Sequence, residues 1–134
     1  MGIAKSFREL NVYQLSRDAA YSIYVMTKAF PPHEKYSLTD QIRRSSRAVN
    51  AMVAAAWARR RYRAAFISKL SEAQEEAAET QAWLDHAVDG SYITDEQFRA
   101  ADAQWQSTGA MISGMINKAD DFCKFPSDKS YTRG

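Results

Sequence analysis

Residues 94–122 of this chain read TDEQFRAADAQWQSTGAMISGMINKADDF, and an apolar stripe runs through them at steps of three and four. The positions on this stripe are Phe98, Ala101, Trp105, Thr108, Ile112, Met115, Ala119 and Phe122. Alternation this strict over more than three heptads predicts a helix that packs nearly parallel to neighbouring helices. Thr94 and Gln97 have the spacing of a capping box that starts the helix, and Pro126 is expected to stop it.

Three more helices with this periodicity precede the stretch. The first is predicted over residues 11–29, with Tyr24 widening its apolar face, and Pro31 and Pro32 end it because proline supplies no amide hydrogen. Ser37 or Thr39 can cap the second helix. The apolar track of the second helix runs on at the same spacing into a third: Leu38, Ile42, Ser45, Val49, Met52, Ala56, Arg59, Arg63, Phe66, Leu70, Ala73, Ala77, Thr80, Leu84 and Ala87.

The second and third helices are expected to be separate. Arg59 and Arg63 fall on the inward track, and charges removed from water need partners. We therefore expect a break within residues 58–62 in preference to one continuous helix of about 75 Å, although this segment contains neither Gly nor Pro. Residues 89–91, with the sequence DGS, predict the turn that ends the third helix, with Gly90 in the left-handed conformation.

The composition fits one small all-α domain. The chain has 134 residues, of which 46% are hydrophobic and 25% charged, and only 5 Gly and 3 Pro residues are available for turns. So few turn residues exclude a sandwich or barrel of many short strands. Four helices with three short connections predict an antiparallel, up-down-up-down four-helix bundle over residues 1–125, followed by a polar C-terminal tail at residues 126–134.

Location and assembly are predicted from the distribution of apolar residues. No apolar run is long enough for a membrane span or a signal peptide, so we expect a cytoplasmic protein without a membrane partner. The helices are rich in alanine, which leaves a thin core within one subunit. Oligomerisation would supply the missing buried area, and we therefore expect a homo-oligomer.

A search for catalytic or metal-binding side chains finds almost none. Cys123 is the only cysteine, so neither an internal disulfide nor a cysteine-based zinc site is available. His33 and His86 have no second histidine or cysteine at ligand spacing. The four glutamates within residues 72–79 lack the Glu-x-x-His pattern of di-iron bundles. We therefore expect no catalytic residues, no enzyme activity, no metal and no cofactor.

Charge is segregated along the chain, although the net charge is only +2. Residues 40–70 carry a net charge of +7, and residues 71–102 a net charge of −8. The arginines of the first segment are candidates for nucleic-acid binding, because a planar guanidinium group matches phosphate oxygens. These candidates are Arg43, Arg44, Arg47, Arg59, Arg60, Arg61 and Arg63. Trp57 and Tyr62 flank the run at residues 59–61, which suits single-stranded RNA or DNA if either ring is exposed. The alternative is that the positive segment pairs with the acidic face of its own or a neighbouring subunit.

Several short segments of the chain match one known pattern. They include EKYSLT at residues 34–39, QIRRS at residues 41–45, Arg59 with Arg60, ETQ at residues 79–81, and Tyr92 with Ile93, and the pattern also takes in Phe7, Leu10, Val12, Tyr24, Thr27, Phe30, Pro31, Phe66, Leu70 and Ala73. On these segments the chain resembles the four-helix bundle proteins first noted as products of intervening sequences in bacterial 23S ribosomal RNA genes, and the likeness extends over residues 7–123. Where members of that family typically carry SNIAEG, residues 51–56 read AMVAAA, so no role of the family's Asn or Glu carries over.

The resemblance implies an antiparallel four-helix bundle, closed pentameric rings and a suspected nucleic-acid role. A related set of bundles serves as accessory subunits to the reverse transcriptases of diversity-generating retroelements, where a basic ring engages nucleic acid and the enzyme. The arginines that match the shared pattern are Arg43, Arg44, Arg59 and Arg60. On this basis we expect a non-enzymatic, ring-forming protein that binds RNA or DNA as an accessory to an enzyme such as a reverse transcriptase. The alternative is a homo-oligomeric protein-protein scaffold without nucleic-acid binding.

Overall fold

The computed structural model describes residues 4–124, which contain four long helices. These are α1 (Asn11–Thr27), α2 (Leu38–Ala58), α3 (Arg63–Asp89) and α4 (Asp95–Asn117), followed by a short α5 (Ala119–Phe122). Single 3₁₀ turns precede α1 and α2, and no strand occurs within residues 4–124.

The long helices form an antiparallel, up-down-up-down bundle. Helix α2 packs against α1 and α3, and α4 packs against α3 and α1, so each long helix contacts two neighbours around a closed square. The connections between consecutive helices are short, which makes neighbouring helices antiparallel. The prediction of an all-α four-helix bundle is confirmed. Within residues 4–124, no helix is both long enough and apolar enough to cross a membrane.

Most positions on the predicted apolar tracks lie in the core. In α2 the predicted Met52 is half-buried, and its neighbour Val53, which is off the track, is fully buried. From Phe66 onward, every track position of α3 is buried: Phe66, Leu70, Ala73, Ala77, Thr80, Leu84 and Ala87. In α4, Trp105 and Ile112 are 1% and 0% exposed. Two buried hydroxyl groups form a hydrogen bond that joins α2 to α3, with Ser45 Oγ 2.8 Å from Thr80 Oγ1. The buried indole Nε1 of Trp105 has no hydrogen-bond partner among the described residues. The inward-facing side of these helices is therefore the one that the periodicity predicts.

Helix α2 ends at Ala58 and α3 begins at Arg63, which confirms the expected break. The backbone N–H of Arg59 reaches the carbonyl oxygen of Ala56 at 3.0 Å, the tightened pattern of a helix end. Tyr62 then has an extended backbone, with φ −116° and ψ 104°, and leads into α3. Both Arg59 and Arg63 are exposed. A continuous helix would have put these two charges on the inward track, so charge accounts for a break that lacks Gly and Pro.

The turn after α3 differs from the prediction at one residue. Gly90 has an ordinary φ of −79°, whereas Ser91 takes the left-handed conformation with a φ of 61°. The expectation that Gly90 supplies the left-handed residue is therefore wrong. A Cβ on Gly90 would lie only 3.0 Å from Cζ of Tyr92, so glycine at this position leaves room for the ring. The aromatic ring packs directly against the backbone of the turn.

Helix α4 ends earlier than its sequence predicts. The stripe was expected to continue as one helix to Phe122, but α4 stops at Asn117 and Lys118 has φ −103° and ψ 22° before α5 begins. Phe122 then stacks on Phe66, with ring centroids 5.7 Å apart. The capping box that starts α4 is present, as predicted. Pro126 and the polar tail behind it lie outside the described residues.

Candidate nucleic-acid interface

The seven candidate arginines lie on two parts of the bundle. Arg43, Arg44 and Arg47 are on the first half of α2, whereas Arg59, Arg60, Arg61 and Arg63 lie in and beside the α2–α3 turn. About 18 Å of helix separates the two groups. We call the second group, together with Tyr62, the turn patch.

The turn patch presents charge and one aromatic ring to solvent. Arg59 and Arg61 are exposed, and Tyr62 is 64% exposed. Arg60 is held inward, since its guanidinium lies 3.8 Å from the ring centroid of Trp57 and its Nη1 donates to the Trp57 carbonyl oxygen at 2.9 Å. Trp57 is only 7% exposed. Of the two aromatic residues that flank the arginines, Tyr62 is therefore the one that offers a face to a ligand.

Arg63, the first residue of α3, has an acidic partner. Its Nε donates to Oδ1 of Asp120 in α5 at 2.6 Å, and the two side chains are 59% and 79% exposed. An ion pair this exposed contributes about 0–1 kcal/mol. It therefore competes only weakly with a phosphate group for the guanidinium.

Arg44 lies between α2 and α3 and pairs with two carboxylates. Its guanidinium contacts Glu76 at 3.4 Å and also Glu79. For Arg44 the structure therefore agrees with the alternative interpretation of the sequence, in which the positive segment pairs with the acidic face of its own chain. Arg44 links α2 to α3, and its two carboxylate partners make it poorly suited to a phosphate.

Arg43 and Arg47 lie on the side of α2 that packs against α1. The Nε of Arg43 donates to Oγ1 of Thr27 at 2.7 Å. The guanidinium groups of Arg43 and Arg47 lie 4.9 and 5.3 Å from the ring centroid of Tyr24, and the ammonium group of Lys28 lies 4.9 Å from the same centroid. Three cations therefore surround one tyrosine ring, which is half-buried rather than part of the core.

A groove of about 360 Å³ lies next to this cluster, between α1 and α2. Its lining residues are Arg17, Ala20, Tyr21, Tyr24, Arg47 and Asn50. Tyr21 is 64% exposed, and its ring centroid lies 6.2 Å from that of Tyr24. Sequence reasoning missed Arg17 and Tyr21, because both precede the arginine-rich segment. The spacing of Arg17, Tyr21, Tyr24 and Lys28 on one face of α1 is the signal that could have found them.

A hydrogen-bonded cluster joins the α1–α2 connection to the α3–α4 connection, at the end of the bundle opposite the turn patch. The hydroxyl of Tyr92 donates to Glu34 Oε2 at 2.7 Å, and the backbone N–H of Leu38 donates to Glu34 Oε1 at 3.2 Å. The bond from Tyr92 lowers the pKa of Glu34, and the same bond raises the pKa of Tyr92. His33 Nε2 lies 3.3 Å from the Tyr92 hydroxyl. Glu34 thus caps α2, whereas the side chain of Ser37 makes no capping bond.

This cluster stabilises loops. Glu34 and Tyr92 both belong to segments that carry the family resemblance, and their hydrogen bond shows that these segments meet in space. A carboxylate whose pKa is lowered is a weak base, which does not favour acid-base catalysis. Across residues 4–124, no group of three or more His, Cys, Asp or Glu side chains is arranged to hold a metal ion.

Comparisons with known proteins agree with the fold. The family model of the 23S rRNA-intervening sequence protein matches residues 8–114. Among solved structures, a protein with unknown function from the S23 ribosomal protein family of Bacteroides thetaiotaomicron VPI-5482 is 29% identical to this chain, with a TM-score of 0.71. That match covers 78% of this chain and 97% of the other chain. No curated protein matches this chain.

Proposed function

This chain belongs to the family of 23S rRNA-intervening sequence proteins, and we propose that it binds RNA or DNA through arginines and catalyses no reaction. In this proposal the protein is an accessory subunit of a nucleic-acid enzyme, such as a reverse transcriptase. The turn patch makes the main contact with the phosphate backbone.

The observation that carries this proposal is the turn patch. Four arginines fall within five residues there, and no acidic residue occurs between Asp40 and Glu72. Arg59 and Arg61 are exposed, and the ring of Tyr62 lies beside them in the chain. Guanidinium groups that neutralise phosphates release counterions from the nucleic acid, which favours binding. Because such contacts do not read bases, we expect a weak sequence preference.

The proposal includes a closed homo-oligomer, a pentamer. Helices α2 and α3 carry opposite charges, and a heterologous contact repeated around a ring can pair them. A ring also multiplies the turn patch, since a strand held by one subunit meets the other copies at high effective concentration. Light scattering coupled to size exclusion is expected to give the mass of a pentamer of the 15.2 kDa chain. A stable monomer at micromolar concentration would contradict the ring.

The test of nucleic-acid binding is a variant in which Arg59, Arg60 and Arg61 are all changed to Gln, which removes charge and keeps helix propensity. We expect binding to RNA and DNA to be largely lost while light scattering still shows the intact oligomer. The matched control changes three basic residues outside both arginine groups to Gln: Arg8, Lys35 and Arg99. Unchanged binding by the Arg59/Arg60/Arg61 variant would contradict the role of the turn patch.

A homo-oligomeric scaffold without nucleic-acid binding is the second candidate. The ion pairs of Arg44 and Arg63 favour it, because they show that carboxylates of this chain can satisfy its arginines. A scaffold would use the basic segment to join subunits. It therefore predicts that the oligomer itself dissociates when residues 59–61 lose their charge, which light scattering separates from a loss of binding.

A further inference from the structure

Three cationic side chains lie close to the ring of Tyr24, and no carboxylate of a described residue forms an ion pair with them. The charged groups of Lys28, Arg43 and Arg47 all lie within 5.3 Å of the ring centroid. In the described part of the chain, residues 4–124, none of these three forms an ion pair. Arg43 and Arg47 are four residues apart on one helix, a spacing at which like charges repel. Positive charge concentrated in this way attracts an anion.

Contacts within the protein already hold the side chains of this cluster in place without a ligand. Arg43 donates to Oγ1 of Thr27, and that hydroxyl donates in turn to the carbonyl oxygen of Tyr24 at 2.9 Å. The ring of Tyr24 supports the guanidinium groups of Arg43 and Arg47 from α1. Side chains that are already held lose less rotamer freedom when they bind, so preorganisation of this kind favours affinity.

The groove extends the positive charge along α1. Arg17, Tyr21, Tyr24 and Lys28 are spaced four, three and four residues apart, so they form one row about 16 Å long. Arg47 lines the groove from α2, and none of its lining side chains is acidic. At about 3.4 Å per nucleotide of a stacked strand, a row of this length spans about four or five nucleotides.

Tyr21 indicates which nucleic acid fits. Its ring is 64% exposed and lines the groove together with Arg17 and Arg47. An exposed aromatic ring can stack on a base whose face is free, and such stacking tolerates any sequence. In a duplex the base faces are covered by their neighbours. We infer that this groove is a second contact site, specific for single-stranded nucleic acid, an inference that rests on the nucleic-acid binding proposed above.

Tyr21→Ala tests the stacking contact. The probes are short oligothymidine and oligouridine strands, an abasic strand of the same length, and a duplex. We expect wild type to bind the strands with bases more tightly than the abasic strand. Tyr21→Ala should weaken the affinity for the strands with bases about 5- to 150-fold and leave the affinity for the abasic strand unchanged. Tyr21→Phe should keep the preference. Tyr36→Ala is the control, because Tyr36 is 85% exposed and does not line the groove. Equal binding of strands with and without bases by wild type would overturn the inference.

The double variant Arg17→Gln, Arg47→Gln tests the electrostatic contact. Losing two phosphate contacts should make the slope of log affinity against log salt shallower by about 1.4 for a single strand. The matched control is the double variant Arg8→Gln, Arg99→Gln, which removes two charges outside the groove and should leave the slope unchanged. An unchanged slope in the Arg17/Arg47 variant would overturn the inference.

The groove inference and the proposed function fail in different ways. If the Arg17/Arg47 variant binds like wild type while the Arg59/Arg60/Arg61 variant loses binding, the groove is not a contact site and the proposed function stands. If wild type binds none of the strands at about 50 mM salt, where phosphate contacts are strongest, both are overturned.

Discussion

The replacement Ile112→Ala tests the helical phase on which the bundle depends. Ile112 lies in the core of α4, is 0% exposed, and belongs to a helix that packs against both α1 and α3. The change removes about three carbon groups, and at about 0.8 kcal/mol for each buried group the transfer term alone is about 2.4 kcal/mol. The cavity left behind adds to this loss. The expected decrease in the free energy of unfolding is therefore roughly 2 to 5 kcal/mol.

Urea unfolding measures this decrease, with wild type and variants at one protein concentration because the proposed assembly would make apparent stability depend on concentration. Val25→Ala is the matched control, since Val25 is an apolar residue of α1 that is 47% exposed. The control should lose less than about 0.5 kcal/mol. A loss as small as this for Ile112→Ala would show that the residue does not face the core, and would refute the phase assigned to α4.

Two further predictions concern the turn after α3 and the cluster beside it. Gly90→Ala would place a Cβ 3.0 Å from the ring of Tyr92 and should lower the free energy of unfolding by about 1 to 3 kcal/mol. Gly114→Ala would place a Cβ with nothing within 4 Å and should raise the free energy of unfolding by about 0.5 to 1 kcal/mol. Urea unfolding measures both changes, and effects of the same sign would contradict this account. Tyr92→Phe removes the bond that lowers the pKa of Glu34 below its ordinary value of 4.5. A group whose pKa is lowered in the folded state contributes stability above its unfolded pKa, and this stability is lost as the pH falls through its folded pKa. The variant should therefore lose less stability than wild type as the pH falls from above 4.5 through the lower pKa of Glu34 in the folded protein. Parallel decreases in the urea midpoints of the two proteins would show that the bond does not affect this titration.

Much of the fold could be predicted because an apolar residue at every helical turn must face a core. The track from Phe66 to Ala87 is buried at each position. Its polar residue Thr80 forms a hydrogen bond with Ser45 of α2. The break after Ala58 could also be predicted, since a continuous helix would have directed charges inward.

Other features depend on contacts between residues far apart in the sequence. Ser91 rather than Gly90 takes the left-handed conformation, and the space that Gly90 provides is filled by the ring of Tyr92. The early end of α4 accompanies the stacking of Phe122 on Phe66. Periodicity within one helix carries no information about these tertiary contacts.

The candidate site, like the fold, could be predicted only in part. The arginine-rich segment is visible in the sequence, but the partner of each arginine depends on which helices are neighbours. Arg44 meets Glu76 across α2 and α3, whereas Arg47 meets the ring of Tyr24 across α2 and α1. Tyr21 escaped notice because an exposed tyrosine outside a charged segment resembles an ordinary surface residue until the groove beside it is known.

The central claim is that arginines of this protein bind phosphate groups, and the salt dependence of wild-type affinity tests it most directly. Fluorescence anisotropy with a labelled single strand and a labelled duplex, at salt concentrations from about 50 to about 200 mM, gives log affinity against log salt. If about five phosphates are neutralised, the slope should be about −3.5 for the single strand and about −4.5 for the duplex. An absence of salt-sensitive binding to any RNA or DNA at about 50 mM salt would contradict the claim and favour the scaffold.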